Sequence, residues 1–235
     1  MQLVVLAGGL GTRLRSALPA GVPKPMAEVA GRPFVDHLLD AGLRRGVDDV
    51  VLLTGHGAAV LEQHVGSAHG GVRVRHSAET APLGTGGALV RARRLLDERF
   101  VLVNGDTWAD VDLEALLARL DDAPLALSLT RVDDAGRFGR VEVAGDVVVR
   151  LVEKGSDGPA LINAGVYGCR RELLDELPAD GPSSFERDLL EPMLPRLRPR
   201  WAPTGPDFFD IGVPADLRAA DRHFRQLVPT RTDHP

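Results

Sequence analysis

Near its amino terminus the chain reads Leu3-Val4-Val5-Leu6-Ala7-Gly8-Gly9-Leu10-Gly11-Thr12-Arg13. A short apolar run that meets glycine abruptly is typical of a buried parallel strand that feeds a loop. The pattern recurs at residues 50–54, 72–76, 100–104 and 125–130, and between these runs apolar side chains follow helical spacing at residues 34–45 and 87–96. This alternation predicts an α/β fold with a mostly parallel central sheet, helices on both of its faces, and ligands at the carboxyl ends of the strands.

From Gly139 onward the sequence becomes richer in β-branched residues. Arg140-Val-Glu-Val143 and Val147-Val-Val-Arg-Leu-Val-Glu153 flank Ala144-Gly145-Asp146, a pattern that predicts a hairpin. Further along the chain we predict a strand at residues 161–169, a helix at residues 183–194 capped by Ser183 or Ser184, a helix at residues 215–227, and a frayed tail at residues 229–235.

Length and composition indicate a globular protein with a sizeable core. The 235 residues are 44% hydrophobic, enough for one domain over residues 1–235, divided into parts at residues 1–130 and 131–227. The formal net charge of -5 provides no general attraction for nucleic acid or an anionic membrane, and an aromatic content of 4% argues against a stacking surface for single strands.

The amino terminus and the cysteine content bear on the compartment. Cys169 is the single cysteine, which excludes a disulfide framework and a cysteine-rich zinc site. The amino terminus lacks the basic segment of a signal peptide, and no run of about 18 apolar residues predicts a spanning helix. We therefore expect a cytoplasmic protein without a membrane partner.

The glycines after the first strand form a candidate phosphate cradle. Without side chains, Gly8, Gly9 and Gly11 let backbone N–H groups approach an anion, and Arg13 and Lys24 add permanent charge beside them. The spacing completes neither a Walker loop nor a dinucleotide-binding fingerprint. A purely structural tight turn is the alternative.

Two carboxylates are candidate metal ligands. Asp106 follows the strand at residues 100–104, where ligands of such sheets bind, and Asp210 lies among apolar residues, where an unpaired charge is costly. A shared Mg²⁺ would neutralise both, since it binds through one or two carboxylates plus substrate phosphates. The alternatives are a turn cap for Asp106 and a salt bridge for Asp210.

Other candidates fall in two later segments. Glu79 precedes Leu83-Gly-Thr-Gly-Gly87, a backbone-lined slot for a flat base; its carboxylate matches the N–H donors of guanine, or the imide N–H of uracil, better than adenine. Lys154 is a candidate for a second phosphate, and Glu153 and Asn163 for sugar hydroxyls. Solvated surface residues are the alternative for these three.

Taken together, these motifs resemble the sugar-phosphate nucleotidyltransferase family. The match runs over nearly the whole chain through Ala7-Gly-Gly-Leu-Gly-Thr-Arg-Leu14, Pro23-Lys-Pro25, Leu83-Gly-Thr-Gly-Gly-Ala88, Asn104-Gly-Asp106, Gly139-Arg-Val-Glu142, Val152-Glu-Lys154, Asn163-Ala-Gly-Val-Tyr167 and Asp210-Ile-Gly212. Within the family, Thr12-Arg-Leu-Arg-Ser16 and Phe138-Gly-Arg-Val-Glu142 look most like the guanylyltransferases that use D-glycero-D-manno-heptose 1-phosphate.

The resemblance implies a Rossmann-like three-layer sandwich with a small sugar-side β extension, and two substrates, a nucleoside triphosphate and a sugar 1-phosphate. It assigns to the nucleotide Leu6, Ala7, Gly8, Gly9, Gly11, Thr12, Arg13, Lys24, Glu79, Gly84, Thr85 and Asp106. It assigns to the sugar phosphate Asn104, Gly139, Glu153, Lys154, Asn163 and Asp210. Catalysis would rest on Arg13, Lys24, Asp106 and Lys154, and Mg²⁺ on Asp106 and Asp210.

Other functions stay open. Within the same reaction class, the acceptor could be mannose 1-phosphate, N-acetylmuramate 1-phosphate or a cyclitol phosphate, and the base uracil. A catalytically silent nucleotide-sugar sensor would be expected to lose a charged catalytic group. All of these groups are present, namely Arg13, Lys24, Asp106, Lys154 and Asp210. A glycosyltransferase metal motif, Asp-x-Asp, is matched by Asp110-Val-Asp112, which we interpret as the cap of a helix at residues 113–120.

Overall fold

The computed structural model describes residues 1–9, 14, 18–19, 21–152, 155 and 157–227. Its strands are β1 (Gln2–Ala7), β2 (Glu28–Val29), β3 (Arg32–Pro33), β4 (Asp49–Thr54), β5 (Ala68–His69), β6 (Val72–Ala78), β7 (Arg99–Asn104), β8 (Thr107–Ala109), β9 (Leu125–Val132), β10 (Arg140–Ala144), β11 (Val147–Val152), β12 (Ala160–Arg170), β13 (Arg200–Pro203) and β14 (Phe208–Asp210). Its helices are α1 (Phe34–Arg44), α2 (Ala58–Val65), α3 (Gly84–Ala92), α4 (Leu113–Ala118), a π-helix (Phe185–Leu190), α5 (Glu191–Leu197) and α6 (Pro214–Leu227). Short 3₁₀ turns occur at Lys24–Met26, Arg93–Leu95, Arg119–Asp121 and Arg171–Glu176.

One ten-stranded sheet runs through the molecule in the order β10-β11-β13-β9-β12-β7-β1-β4-β6-β5. Strands β7, β1, β4 and β6 are parallel, as is the β13–β9 pair. Strand β12, however, lies antiparallel between β7 and β9. The sheet is therefore mixed, and the expectation of a mostly parallel sheet is not confirmed, because alternation in sequence does not determine the direction of a later strand that inserts between two earlier ones.

Helices cover both faces of this sheet, as the α/β expectation requires. On β1, Leu3 and Val5 face a core that includes Phe34 of α1, Leu116 of α4 and Phe224 of α6. Val4, between them, faces the other core with Leu89 of α3 and Leu189 of the π-helix. Side chains alternate across a strand, so both faces of β1 are buried, which explains its continuous apolar run.

Several local predictions are confirmed in type and corrected in extent. Strands β10 and β11 form the predicted hairpin, with Gly145 at φ 61° in its turn. Asp112 caps α4 by accepting a hydrogen bond from Ala115 N at 3.0 Å. The helix predicted at residues 87–96 begins earlier, at Gly84, so the glycine-rich run is its first turn and not a preceding loop. The helix predicted at residues 183–194 divides into the π-helix and α5.

Two further features are the state of the cysteine and the character of the helices. Cys169 is a free thiol buried on β12, and burial raises its pKa. Throughout the ranges given above, no helix combines the length and apolar character needed to cross a bilayer. The tail at residues 229–235 lies outside the described residues.

Candidate active site

A cleft of about 480 Å³ opens where parallel strands β1, β4 and β7 end. It is lined by Leu6, Ala7, Gly8, Gly9, Lys24, Pro25, Leu53, Thr54, Glu79, Pro82, Gly84, Thr85, Ala88, Asn104, Gly105, Asp106, Tyr167, Ser184, Phe185, Glu186 and Gly212. The carboxyl ends of parallel strands meet at one edge of a sheet, so the loops after these strands converge there.

One wall of the cleft is backbone. Gly105 N donates to Leu6 O at 2.9 Å, which draws the segment after β7 against the end of β1. A Cβ on Gly105 would lie 2.6 Å from that same oxygen, so only glycine permits this approach. Gly8 lies beside Glu79 and the backbone of Gly55. These glycines bring main-chain groups close to the cavity, which a phosphate cradle requires.

Lys24 is buried at the floor of the cleft between two carboxylates. It begins a 3₁₀ turn, Lys24–Met26, and is flanked by Pro23 and Pro25. Its Nζ is ion-paired with Asp106 Oδ2 and lies 4.0 Å from Asp210 Oδ1. The ammonium group is therefore held in one place and is not a mobile surface charge.

Asp106 and Asp210 are brought together by a small antiparallel sheet. Strand β14 pairs with β8, placing Asp210 opposite Thr107, and Ile211 N donates to Asp106 O at 2.9 Å. Gly212 N donates to Asp210 Oδ1 at 2.7 Å. A Cβ on Gly212 would lie 3.3 Å from Lys24 Nζ, so glycine leaves room for the lysine.

An aromatic cluster supports this small sheet from behind. The Trp108 ring on β8 lies 6.2 Å from that of Phe209 on β14 and 5.3 Å from that of Phe224 on α6. The ring of His223, also on α6, lies 4.7 Å from that of Phe209 at an interplanar angle of 42°. Helix α6 therefore holds β14 against β8, and with it the position of Asp210.

The carboxylate pair fits a small, hard cation. Both supply oxygen ligands. The Asp106 side chain is 33% exposed, and the Asp210 side chain is 27% exposed. Within the described ranges, no cluster of three or more His, Cys, Asp or Glu could hold a metal. A cation here would thus have few protein ligands and take the rest from substrate phosphate and water, which is how Mg²⁺ usually binds.

Glu79 stands beside the glycine wall, next to Gly8 and Gly55. Its amide donates to Thr54 O at 2.9 Å, and its Oε2 accepts from Leu83 N at 3.0 Å. A Cβ on Gly55 would collide with its carboxylate. The glutamate is thus anchored at both backbone and side chain.

A clasp joins the first turn of α3 to residues 183–185. Gly86 N donates to Ser183 O at 2.8 Å, and Ser183 N donates to Leu83 O at 2.9 Å. Thr85 Oγ1 accepts from Phe185 N at 2.8 Å, so its hydroxyl positions the neighbouring segment as well as lining the cleft.

A side-chain network follows on β12. Asn163 Nδ2 donates to Tyr167 OH at 2.7 Å, and Tyr167 OH donates to Glu186 Oε1 at 2.7 Å. Asn163 does not line the cleft itself but reaches it through Tyr167 and Glu186, which do.

Comparison with known proteins identifies the family. The sequence profile of the nucleotidyl transferase family matches residues 2–226. The chain belongs to this family. The D-glycero-alpha-D-manno-heptose 1-phosphate guanylyltransferase of Aneurinibacillus thermoaerophilus is 33% identical over 231 residues, covering 97% of this chain and 100% of the relative. The mannose-1-phosphate guanylyltransferase of Mycobacterium tuberculosis is 39% identical over 200 residues, covering 83% of this chain and 55% of the relative.

Solved structures of the family include a similar chain. HddC from Yersinia pseudotuberculosis, complexed with GMP-PN, has a TM-score of 0.84 and 32% identity, covering 95% of this chain and 99% of that one.

For this nucleotidyl transferase, most of the residues singled out in the sequence gather at one cleft. The predicted residues that line it are Leu6, Ala7, Gly8, Gly9, Lys24, Glu79, Gly84, Thr85, Asn104 and Asp106. Asp210 joins through Lys24, and Asn163 through Tyr167. Gly139 lies beside the end of β11, where its Cβ would come 3.1 Å from Val152 O. Predicted residues outside the described ranges are Gly11, Thr12, Arg13, Glu153 and Lys154.

Sequence reasoning missed several residues of this cleft. Thr54, Pro82 and Glu186 line it without belonging to any of the motifs described above. The signal that could have found Glu186 is its place at the start of a helix that follows the clasp, but this becomes evident only when residues 183–185 dock on α3.

Proposed function

We propose that the protein transfers a guanylyl group from GTP to a sugar 1-phosphate, D-glycero-D-manno-heptose 1-phosphate, with release of pyrophosphate. The observation that carries the proposal is the convergence of Lys24, Asp106 and Asp210 in a cleft with a glycine wall. Positive charge next to backbone N–H groups suits phosphates, and a nearby carboxylate pair suits a divalent cation.

The nucleotide is assigned to the side of the cleft that contains the glycine wall. Its phosphates would lie against Gly8 and Gly9, and its base near Glu79, Gly84 and Thr85. We propose that Gly11, Thr12 and Arg13 also bind the phosphates. The anchored Glu79 carboxylate supports guanine, whose adjacent N1–H and N2–H groups both donate.

The sugar 1-phosphate is assigned to the remaining side of the cleft. The residues proposed to hold it are Asn104, Gly139, Glu153, Lys154, Asn163 and Asp210. Asn163 reaches the cleft through Tyr167 and Glu186, which supports this assignment. Gly139 adjoins Arg140, which pairs with Ile162 next to Asn163.

The reaction needs alignment more than proton transfer. A phosphate oxygen of the sugar 1-phosphate attacks the α-phosphorus in line, a new P–O bond forms, and the bond to the bridging oxygen breaks with its electrons leaving on pyrophosphate. The attacking oxygen is already anionic at neutral pH. Lys24, held by Asp106 and Asp210, is placed to stabilise negative charge that develops during transfer.

Asp106 and Asp210 would hold the divalent cation, for which we propose Mg²⁺. When bound, it would neutralise phosphate charge and fix the orientation of the triphosphate. The two carboxylates contribute by presenting oxygen ligands at a position set by the β8–β14 pairing.

Mannose 1-phosphate is the second candidate acceptor. It is favoured by the similarity to the mycobacterial mannose-1-phosphate guanylyltransferase, of which the chain spans about half the length (55%).

We further propose that residues 1–235 act as one domain in the cytoplasm. Its nucleotide-binding part would be residues 1–130, and its sugar-phosphate-binding part residues 131–227.

The test is pyrophosphate release from each nucleoside triphosphate paired with heptose 1-phosphate, mannose 1-phosphate or N-acetylmuramate 1-phosphate in Mg²⁺ buffer. We expect turnover to be highest with GTP and heptose 1-phosphate. Lys24→Ala should lower kcat by about 10²-fold or more, since it removes a preorganised charge. A matched Arg91→Ala change on the outer side of α3 should leave kcat unchanged. Near-normal turnover by folded Lys24→Ala protein would refute the assignment.

A further inference from the structure

Glu186 lines the cleft, yet none of the roles proposed above uses it. It is the second residue of the π-helix Phe185–Leu190. Such helices are rare and occur frequently at functional sites, because the extra residue in the turn redirects the side chains around it.

The start of this π-helix is fixed by several hydrogen bonds. Ser184 Oγ accepts from Arg187 N at 3.2 Å, and Ser184 N donates to Asp188 Oδ2 at 2.6 Å. Phe185 N donates to Thr85 Oγ1 at 2.8 Å, which docks the helix start on α3. The backbone of Glu186 therefore has little freedom.

One oxygen of the Glu186 carboxylate is fixed as well. Tyr167 OH donates to Oε1 at 2.7 Å, and Asn163 Nδ2 lies 3.3 Å from the same atom. Asn163 Oδ1 accepts from Gly165 N at 3.0 Å, which sets the orientation of the amide so that Nδ2 points to the tyrosine and the glutamate.

Tyr167 is suited to remain a donor. The residue is 1% exposed, and its ring meets the Phe185 ring edge-on at a centroid distance of 5.2 Å. Burial and the neighbouring Glu186 carboxylate raise the pKa of the Tyr167 hydroxyl well above its ordinary value. The hydroxyl therefore stays protonated and continues to donate its hydrogen bond to Glu186 Oε1.

The other oxygen, Oε2, accepts no hydrogen bond from the residues that the structure describes, and the Glu186 side chain lines the cleft. A carboxylate that is anchored at one oxygen and open at the other repels phosphate and accepts hydrogen bonds from hydroxyl groups. Glu79 is already placed for the donors of the base. The sugar 1-phosphate is the substrate with several hydroxyl groups left to recognise, and Glu186 is anchored by β12, the strand that carries Asn163.

We propose that Glu186 is a specificity-determining residue that accepts a hydrogen bond from a sugar hydroxyl, and that Tyr167 and Asn163 are positioning residues for its carboxylate. This inference rests on the proposed function, since it assumes a sugar phosphate in the cleft. Asn163 then contributes to sugar recognition through Glu186.

The first test measures binding by calorimetry, with GDP and GDP-mannose as probes. Wild-type protein should bind GDP-mannose more tightly than GDP. Glu186→Gln should lower the affinity for GDP-mannose by about 10-fold or more and leave that for GDP unchanged. Tyr167→Phe should have a smaller effect in the same direction. Glu191→Gln, an exposed carboxylate on α5, is the matched control.

The second test uses steady-state kinetics. In Glu186→Gln the KM for the sugar 1-phosphate should rise about tenfold, while the KM for GTP changes less than about twofold. A merely structural role would instead change both constants and the unfolding midpoint. Equal weakening of GDP and GDP-mannose, or no preference of wild type for GDP-mannose, would overturn the proposal.

A third measurement separates the two sources of hydroxyl groups. With 2′-deoxy-GTP and 3′-deoxy-GTP, wild type and Glu186→Gln should lose activity by the same factor. If the variant is insensitive to loss of a ribose hydroxyl, Glu186 contacts the ribose and the proposal is wrong. If pyrophosphate is not released from GTP with any sugar 1-phosphate, the proposed reaction is wrong. The affinities for GDP-mannose and GDP still decide the role of Glu186.

Discussion

At the scale of single residues, the cleft combines charges that are held in place with main chain that can approach closely. Lys24 is fixed by two aspartates, and Glu79 by the amide of Leu83. A charged group whose position is set before the ligand arrives needs little reorganisation on binding. These anchors matter for specificity because a carboxylate rejects a ligand that lacks the matching donors.

Glu79→Gln should shift the nucleotide preference. A glutamine still accepts from Leu83 N but presents one neutral acceptor and one donor, which fits the edge of uracil better than that of guanine. We expect kcat/KM for GTP to fall about 10- to 100-fold, the size of a lost hydrogen bond to a charged group, and that for UTP to rise or stay constant.

The measurement is kcat/KM for GTP and UTP, with Glu142→Gln on the outer hairpin as the matched control. Equal losses for both nucleotides would mean that Glu79 supports the cleft without reading the base.

At the scale of elements, the glycine-rich first turn of α3 depends on close contact with residues 183–185. Gly84 has φ 69° and its Cβ would collide with Ser183 O, and a Cβ on Gly86 would lie 2.6 Å from Ser183 Oγ. Sequence placed these glycines before the helix as a slot for a base. The structure adds a second reason for them: they let α3 dock against the segment that leads into the π-helix.

Gly84→Ala should therefore destabilise the fold and weaken GTP binding together. A left-handed conformation costs a non-glycine residue about 1–2 kcal/mol, and the collision with Ser183 adds to it. Gly46→Ala is the matched control, because Gly46 has φ 84° but nothing lies within 4 Å of its Cβ.

Urea unfolding and the KM for GTP measure the two effects. Gly84→Ala should lower the free energy of unfolding more than Gly46→Ala does, and it should be the one of the two variants that raises the KM for GTP. Equal losses of unfolding free energy would show that the contact with residues 183–185 does not stabilise the fold.

At the scale of the whole molecule, stability and function lie at opposite ends of the parallel strands. Asp49 begins β4, whereas Thr54 at the end of β4 lines the cleft. Asp49 accepts from Gln2 Nε2 at 2.7 Å and from Arg73 Nε at 3.0 Å, and it pairs with Arg75. Burial opposes ionisation of Asp49, but these partners outweigh it and hold its pKa below the ordinary value of 3.8.

Acid should therefore weaken the fold through Asp49. A carboxyl group whose pKa is lowered by folding contributes stability that is present above its unfolded pKa and is lost as pH falls through its folded pKa. We expect Asp49→Asn to lower the free energy of unfolding at pH 7, and the difference from wild type to shrink as the pH falls below about 4.

Urea denaturation across this pH range measures the effect. Turnover of Asp49→Asn at pH 7 should match that of wild type, since the residue is remote from the cleft. A difference in unfolding free energy that does not depend on pH would contradict the assignment.

Sequence patterns alone predict the local features of this protein. The apolar runs predict β1, β4, β7 and β9, because burial on both faces of a strand leaves a readable pattern. Strand β6 is predicted as well, although Val74 is its one buried residue. The glycines after β1 and the carboxylate after β7 are recognisable as candidate site residues because the ends of parallel strands converge at one edge of the sheet.

Contacts between distant residues become evident in the folded chain. The antiparallel insertion of β12, the pairing of β14 with β8 that brings Asp210 to Lys24, and the contact of Tyr167 with Glu186 join segments far apart in the chain. Local patterns report burial and backbone preference, whereas strand direction, register and helix docking depend on how side chains pack across the whole core.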